Sequence, residues 1–279
     1  MLSLSHNHQK KIAVINDFSG FGRCSIAVAL PLISHLGIQC CPLPTAIFSN
    51  HTGFSSYFFE DYTDSIAPYM AEWKKLGLEF EGILTGFLGS VRQIGLVEDF
   101  LEDFTTGRTT VVIDPVMGDY GRPYATYTPE LCREMRRLVR YADVLTPNLT
   151  EACILLDRPY RAKFSESELE EMAGRLCDQG PEKVVFTGVD RGAFLENFCY
   201  ERGGGRTVIR TRRADPQRSG TGDVFSSIVA AGVVQGVPFE KSVRTAADFI
   251  KRCLIRSSEL DIPVTDGVCF EEVIQTLHF

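Results

Sequence analysis

The residues best suited to chemistry lie near the C-terminal end of the chain, at residues 218–225 with the sequence Arg-Ser-Gly-Thr-Gly-Asp-Val-Phe. Small apolar residues follow at 228–234, which predicts a helix that begins within this segment. Bare N–H groups at a glycine-rich helix start bind anions, and the helix dipole adds partial positive charge there. The carboxylate of Asp223 would then lie beside a bound phosphate. This pattern indicates phosphoryl transfer, in which the amides of residues 220–222 stabilise the phosphoryl oxygens and Asp223 accepts the proton of an attacking hydroxyl.

The same segment also fits a role without chemistry. Gly220 and Gly222 can form a simple turn, and an aspartate such as Asp223 is common at the start of a helix, where it favours helix formation. The octapeptide alone does not separate the two interpretations. The other elements of the chain have to decide between them.

Composition indicates an ordinary soluble protein. The chain has 279 residues, of which 44% are hydrophobic and 23% charged. A net charge of -7, with no basic run longer than pairs such as the arginines at 136–137 and 212–213, argues against a nucleic-acid partner. No apolar run approaches the ~20 residues of a membrane span. Residues 1–11 are polar and lack the apolar core of a signal peptide, so we expect a flexible N-terminus at residues 1–10 and no targeting segment.

The cysteines suggest a reducing compartment. There are nine, an odd number, without a Cys-x-x-Cys pair and without histidines at zinc-ligand spacing. Unpatterned cysteines of this kind are mostly reduced core residues, so we expect a cytoplasmic protein.

Short apolar strands and amphipathic helices alternate along the chain, which predicts the fold. Strands are expected at 11–15, 82–86, 109–113, 142–145 and 183–186, and helices at 64–76, 127–141, 166–179 and 238–255. A late pair of strands at 194–200 and 207–212 predicts an antiparallel hairpin. With no linker and no change of composition, we expect one domain over residues 1–279, a three-layer α/β/α doubly wound fold with a mostly parallel sheet.

Polar loops follow several of these strands, and such loops bind ligands at the carboxyl edge of a parallel sheet. Residues 45–54 combine hydroxyls, an amide, an imidazole and aromatic rings, which suits a flat heteroaromatic substrate. Asp114 ends a buried strand and is suited to hold Mg²⁺ through water or to orient phosphates, and Glu151 opens a later helix. The alternatives are an irregular loop with a satisfied His51, an Asp-Pro turn with solvated acids, and a Glu151 that only complements a helix dipole.

A dinucleotide-binding site is a competing interpretation of the first glycine turn. Gly20, Gly22 and Ser25 form a degraded Gly-x-Gly-x-x-Gly after the first strand. The Rossmann site also needs an acidic residue about 20 positions further on, and residues 37–44 contain none. The sequence therefore disfavours NAD binding.

These segments together resemble the ribokinase-like small-molecule kinases, and within that superfamily the pyridoxal and pyridoxamine kinases of vitamin B6 salvage. Gly-Thr-Gly-Asp at 220–223 is common to the superfamily, whereas Phe-Ser-Asn-His-Thr-Gly at 48–53 is far more specific to B6 kinases. The other matching segments are Gly-Phe-Leu-Gly-Ser, Asp-Pro-Val-Met-Gly-Asp and Pro-Asn-Leu-Thr-Glu, at residues 86–90, 114–119 and 147–151.

The resemblance implies ATP-dependent phosphorylation of the 5'-hydroxymethyl group of pyridoxal, pyridoxamine or pyridoxine. It implies that Asp223 is the base and that the amides of Gly220, Thr221 and Gly222 form the anion hole. It implies contacts to the substrate from Asp17, Phe48, His51, Thr52 and Phe87, contacts to ATP from Asn148, Thr187 and Asp114, and a Mg²⁺ site at Asp114 and Glu151. It also suggests a homodimer and leaves a dependence on K⁺ open.

The chain departs from the resemblance at Asp17, where many pyridoxal kinases carry a serine that contacts the ring. An acid here is closer to the Gly-Ser-Asp pattern of the hydroxymethylpyrimidine kinases of thiamin synthesis, which are the main alternative. The preferred substrate is therefore open, and we hypothesise that Asp17 favours pyridoxamine or an aminopyrimidine. A non-catalytic protein that binds vitamers or nucleotides is a third interpretation, disfavoured by the intact Asp223 and its flanking glycines.

Overall fold

A nine-stranded sheet forms the centre of the computed structural model, which describes residues 8–214 and 218–279. The strands lie in the order β11-β10-β9-β8-β5-β4-β1-β2-β3. Their bounds are β1 (Lys11–Ser19), β2 (Gln39–Phe48), β3 (Phe59–Asp61), β4 (Gly82–Thr85), β5 (Thr110–Ile113), β8 (Val144–Leu145), β9 (Lys183–Asp190), β10 (Phe194–Glu201) and β11 (Gly205–Arg212). A separate two-stranded pair joins β6 (Gly118–Asp119) to β7 (Arg122–Pro123).

Within residues 8–214 and 218–279, eight α-helices cover the two faces of the sheet. They are α1 (Ile26–His35), α2 (Thr63–Leu76), α3 (Val91–Phe104), α4 (Pro129–Glu134), α5 (Leu149–Leu155), α6 (Glu166–Cys177), α7 (Thr221–Gln235) and α8 (Phe239–Glu259). Short 3-10 helices cover Met135–Tyr141, Val264–Asp266 and Ile274–Thr276.

The sheet confirms the predicted three-layer α/β/α fold. Strands β2, β1, β4, β5, β8 and β9 run parallel, and antiparallel strands close both edges of the sheet. Residues 12–15 of strand β1 form a continuous apolar run because both of their faces are buried. Ala13 and Ile15 pack into the core under helices α2 to α6, whereas Ile12 and Val14 pack under α1, α7 and α8. A strand buried on both faces cannot alternate apolar with polar residues.

The chain order creates a crevice at the carboxyl end of β1. From β1 the chain moves to β2 on one side and later returns to β4 on the other. Ligands of open α/β sheets bind outside such a switch point. The last turn of helix α7 packs at the opposite, amino end of the strands, because a Cβ atom on Gly82, the first residue of β4, would lie 2.6 Å from Val234 and 2.9 Å from Ile12. The start of α7 is thereby placed over the crevice.

The structure differs from several predicted element bounds, among them that of β1, which extends to Ser19 and does not end at residue 15. The helix predicted at 127–141 is divided into α4 and a 3-10 helix. Helix α3, which was not among the predicted elements above, begins at Val91, where the side chain of Ser90 caps it. Strand β9 continues beyond the expected polar exit at Thr187. The short strands β3, β6 and β7 had no apolar run that could predict them.

All nine cysteines are unpaired, and eight of them are buried, as the sequence suggested. Among residues 8–214 and 218–279, no helix has both the length and the apolar character that crossing a bilayer requires. The flexible N-terminus predicted for residues 1–10 falls mostly outside the described residues.

Candidate active site

Helix α7 begins at the glycine-rich segment, as predicted, and only glycine fits at its cap. Gly220 is the N-cap residue and has a left-handed backbone with φ 84°. A Cβ atom at this position would lie 1.9 Å from the carbonyl oxygen of Arg23. The chain therefore comes close to the β1–α1 loop, and the first amides of α7 open towards the crevice. Gly222 in the first turn is exposed, with space around it.

Asp223 lies in the first turn of α7, with two hydrogen-bond donors beside it. The side-chain amide of Asn16 donates from Nδ2 to Asp223 Oδ1 at 3.1 Å, and the backbone N–H of Ser25 also donates to the carboxylate. Burial raises the pKa of Asp223, although these two donors act in the opposite direction. A carboxylate whose pKa is raised is a stronger base when ionised, which suits proton abstraction.

Asp17 is a second carboxylate in the same crevice. It is buried, and both of its oxygens accept hydrogen bonds: Oδ1 from Ser25 Oγ at 2.6 Å and Oδ2 from Ser19 Oγ at 2.9 Å. Burial, and to a lesser extent the nearby charge of Asp223, raises the pKa of Asp17 to about 6. A cationic group bound nearby would lower both pKa values and would be attracted by both charges.

Asp114 and Glu151 form a third acidic element, after β5 and at the start of α5. Burial raises the pKa of Asp114 to about 8, with a smaller contribution from the charge of Asp223. Burial, followed by the charge of Asp114, raises the pKa of Glu151 well above its usual range. Glu151 accepts backbone N–H bonds from Asn148 at 2.8 Å and Met117 at 3.1 Å, so it caps its helix and adds charge beside Asp114 as well.

Asn148 and Thr187, the residues expected to contact ATP, lie side by side. Asn148, in the loop after β8, forms an isolated parallel bridge with Thr187 of β9. The side chain of Asn148 caps α5, accepting from Thr150 N at 2.8 Å and Glu151 N at 3.0 Å, and it donates to the Gly118 carbonyl at 2.8 Å. These bonds fix the loop around Asn148 beside Thr187.

Phe48 and Phe87 come together as an aromatic wall of the crevice. Their ring centroids are 5.9 Å apart in an edge-on arrangement. Phe48 also packs against Phe59 of β3 at 4.8 Å, and Phe87 against Tyr127 at 5.8 Å. Phe48 is buried within this cluster and supports Phe87, whose ring is partly exposed and can contact a heteroaromatic ligand.

His51 lies apart from this wall. Its Nδ1 accepts the Gly53 N–H at 3.0 Å, and its Nε2 lies 2.7 Å from the Thr265 carbonyl oxygen, so Nε2 carries the proton. Both ring nitrogens are thus occupied by backbone groups, whereas Thr52 is exposed. The structure brings Asp17, Phe48 and Phe87 to the crevice and packs the His51 ring against the β1–α1 loop, where a Cβ atom on Gly22 would lie 2.2 Å from His51 Cδ2.

Residues 262–267 connect three loops of the site. Their carbonyl groups accept hydrogen bonds from His51, from Arg23 Nη1 at 3.0 Å and from Arg218 Nη1 at 2.7 and 2.9 Å. The three donors belong to the β2–β3 loop, the β1–α1 loop and the segment before α7. Sequence reasoning did not find this connection, because each donor is far from its acceptor along the chain.

Sequence reasoning also missed Asn16, Ser19 and Ser25 as site residues. All three side chains are buried around Asp17 and Asp223. The one available signal was the polar pair Asn16 and Asp17 at the end of an otherwise apolar strand.

Comparison with known sequences identifies the family. The family model described as phosphomethylpyrimidine kinase matches residues 30–265. A Caenorhabditis elegans protein named as a candidate pyridoxal kinase is 30% identical over 267 residues, which are 88% of this chain and 79% of that protein.

Solved structures agree with this result. A candidate phosphomethylpyrimidine kinase from Bacteroides thetaiotaomicron, crystallised with pyridoxal, is 40% identical and superposes with a TM-score of 0.93 over 96% of each chain. Pyridoxal kinase from Lactobacillus plantarum is 26% identical, with a TM-score of 0.89 over 96% of each chain. The chain therefore belongs to the phosphomethylpyrimidine and pyridoxal kinase family of the ribokinase-like superfamily.

Proposed function

We propose that this kinase transfers the γ-phosphoryl group of ATP to the 5'-hydroxymethyl group of a vitamin B6 vitamer, namely pyridoxal, pyridoxamine or pyridoxine. One observation carries the proposal: a single side chain, Asn16, joins the backbone of Phe87 in the aromatic wall to the carboxylate of Asp223 at the start of α7. A flat ring against Phe48 and Phe87 would thus hold its hydroxymethyl group close to a base and to an anion-binding helix start.

The chemistry follows from these positions. Asp223 removes the proton of the substrate hydroxyl as its oxygen bonds to the γ-phosphorus atom of ATP, while the bond from that phosphorus to the β–γ bridging oxygen breaks and ADP leaves. The amides of Gly220, Thr221 and Gly222, with the dipole of α7 behind them, stabilise the charge on the transferring phosphoryl oxygens. Burial around the crevice excludes water, which would otherwise compete with the substrate hydroxyl.

Magnesium fits the acidic residues through charge more than through direct ligation. Burial raises the pKa of both Asp114 and Glu151, and the charge of Asp114 raises the pKa of Glu151 further, so a divalent cation would relieve the repulsion between these charges. Within the described part of the chain, no three Asp, Glu, His or Cys side chains are grouped as a metal cage. This suits Mg²⁺ held by one or two carboxylates, water and phosphate. When bound, the ion would neutralise charge on the ATP phosphates.

The nucleotide is proposed to lie along the carboxyl ends of β8 and β9. Asn148 and Thr187 present adjacent backbone and side-chain groups there, and Asp114 lies at the end of the neighbouring strand β5. In this proposal ATP would lie on one side of the start of α7 and the vitamer on the other.

The assembly and location of the enzyme are also part of the proposal. A single kinase domain and a homodimer are inferred from the family resemblance, and a cytoplasmic location from the nine unpaired cysteines. An activating K⁺ ion belongs to the same set of proposals.

Hydroxymethylpyrimidine is the second candidate substrate, and Asp17 is the observation that favours it. An acidic group near the ring could pair with the amino group of the pyrimidine. The bound pyridoxal in the Bacteroides relative and the Phe48-to-Gly53 segment support a B6 vitamer instead. A coupled assay of ADP release with pyridoxal, pyridoxamine, pyridoxine and hydroxymethylpyrimidine tests the choice. The highest kcat/KM should belong to a B6 vitamer, and exclusive turnover of the pyrimidine would overturn the proposal.

Replacement of Asp17 by Ser should change the order of substrates. Because both oxygens of Asp17 already accept serine hydroxyls, the residue acts on the substrate chiefly through its charge. We expect kcat/KM for pyridoxamine and hydroxymethylpyrimidine to fall about tenfold relative to pyridoxal, the size of one charge-assisted contact. Asp17→Asn, which keeps the shape without the charge, is the matched control and should give the same shift. Unchanged kcat/KM ratios in both variants would show that Asp17 does not select the substrate.

A further inference from the structure

We propose that Asn16 is a positioning residue that aims the carboxylate of Asp223 at the substrate hydroxyl and couples it to the aromatic wall. The inference rests on the proposed role of Asp223 as the base and adds a residue through which that base acts. It is carried by the contacts of one buried side chain at the end of β1.

The orientation of the Asn16 amide is fixed by its neighbours. Oδ1 accepts the backbone N–H of Asp17 at 2.9 Å and the backbone N–H of Phe87 at 2.8 Å. A flipped amide would direct its NH₂ group against these two donors. The NH₂ group must therefore face the other way, where it meets Asp223 Oδ1 at 3.1 Å.

The space around the Asn16 side chain is tight. A Cβ atom on Gly86 would lie 2.5 Å from Asn16 Cγ and Nδ2, so glycine at this position is what admits the amide. The pairing of β1 with β2 also shifts register between Asn16 and Phe18, with an extra residue on β2. Such irregularities redirect side chains at the end of a strand, and here they occur beside the site. Asn16 itself is 6% exposed.

The network has a direct consequence for the reaction. Asn16 spans the crevice between β4 and α7, so its amide sets the distance between the Phe87 backbone and the Asp223 carboxylate. Misplacement of a reacting group by about 1 Å can cost 10²-fold in rate. The donated hydrogen bond also stabilises the ionised form of Asp223, which keeps the base available at neutral pH.

Several other titratable groups lie near enough to Asp223 for its charge to raise their pKa values, and they belong in any account of its pH dependence. These are Asp17 in β1, Cys24 after β1, Asp114 after β5, and Tyr124 before α4. The neutral Asn16 amide is the side-chain donor to the base, and its hydrogen bond lowers the pKa of Asp223. Its removal should therefore be visible as a change in the acid limb of the pH profile.

Two substitutions test the proposal. Asn16→Ala removes the amide, and we expect kcat to fall 10- to 100-fold with smaller changes in KM, and the acid limb of kcat to move to higher pH. Asn16→Asp is the sharper variant, because a carboxylate still accepts from Asp17 N and Phe87 N and so preserves the fold, but replaces the donor that faces Asp223 with an acceptor. It should shift the acid limb further upwards than Asn16→Ala does.

A double-mutant comparison separates this inference from the proposed function. If Asn16 acts through Asp223, adding Asn16→Ala to Asp223→Asn should lower kcat no further. Wild-type enzyme that phosphorylates no vitamer would overturn the proposed function, and an active Asp223→Asn enzyme would overturn the base. If Asp223→Asn is inactive while folded Asn16→Asp keeps the wild-type kcat and pH profile, the inference about Asn16 alone is wrong.

Discussion

Asp223→Asn is expected to lower kcat by about 10² to 10⁴-fold, the usual contribution of a general base. Asparagine has nearly the same shape and can still accept the hydrogen bond from Asn16, so the crevice should keep its form. It cannot take a proton at neutral pH. Because the base acts mainly in the transition state, the Kd values of ATP and vitamer should change little.

Steady-state kinetics and equilibrium binding to the same preparation check this expectation. Asp178→Asn provides a matched control, since this aspartate is exposed at the end of α6, just before the amino end of β9 and so at the edge of the sheet opposite the crevice. Its kcat should equal that of the wild type. An Asp223→Asn enzyme with normal turnover would remove this residue from the mechanism, whatever the vitamer.

The layers of the fold were predictable because they depend on local sequence patterns. Strand β1 reads as apolar on both faces since both faces are buried, and the alternation of strands with helices requires parallel strands with crossovers. Helix α7 was predictable from its glycine start and the small apolar residues behind it. The division of residues 127–141 was not, because 3-10 and α-helical turns share nearly the same side-chain pattern.

The details of the site were harder to predict, because they depend on long-range contacts. Asn16 and Asp223 are separated by 207 positions, so no local sequence pattern predicts their hydrogen bond. His51 illustrates the same limit: its segment resembles a ring-binding loop, but only the tertiary structure shows that the Thr265 carbonyl and the Gly53 N–H occupy the imidazole. The ligand roles of His51 and Thr52 remain predictions.

The anion hole at the start of α7 should be very sensitive to one methyl group. Gly220→Ala places a Cβ atom where the Arg23 carbonyl oxygen lies 1.9 Å away, on a backbone with φ 84° that costs a non-glycine residue about 1–2 kcal/mol. Either the β1–α1 loop or the first turn of α7 has to move. Since the amides of this turn stabilise the phosphoryl oxygens, we expect kcat to fall by about 10² to 10³-fold.

Gly222→Ala is the control for stability at the neighbouring glycine. A Cβ atom there meets nothing within 4 Å, and alanine favours a helix over glycine by about 1 kcal/mol. The melting temperature of Gly222→Ala should therefore stay at or above that of the wild type, whereas Gly220→Ala should melt at a lower temperature. Kinetics and thermal melts of both variants decide the matter. A real clash at residue 220 cannot be relieved without moving the amides that the reaction needs. Normal turnover and an unchanged Tm in Gly220→Ala would therefore mean that the close approach of α7 to the Arg23 carbonyl does not shape the site.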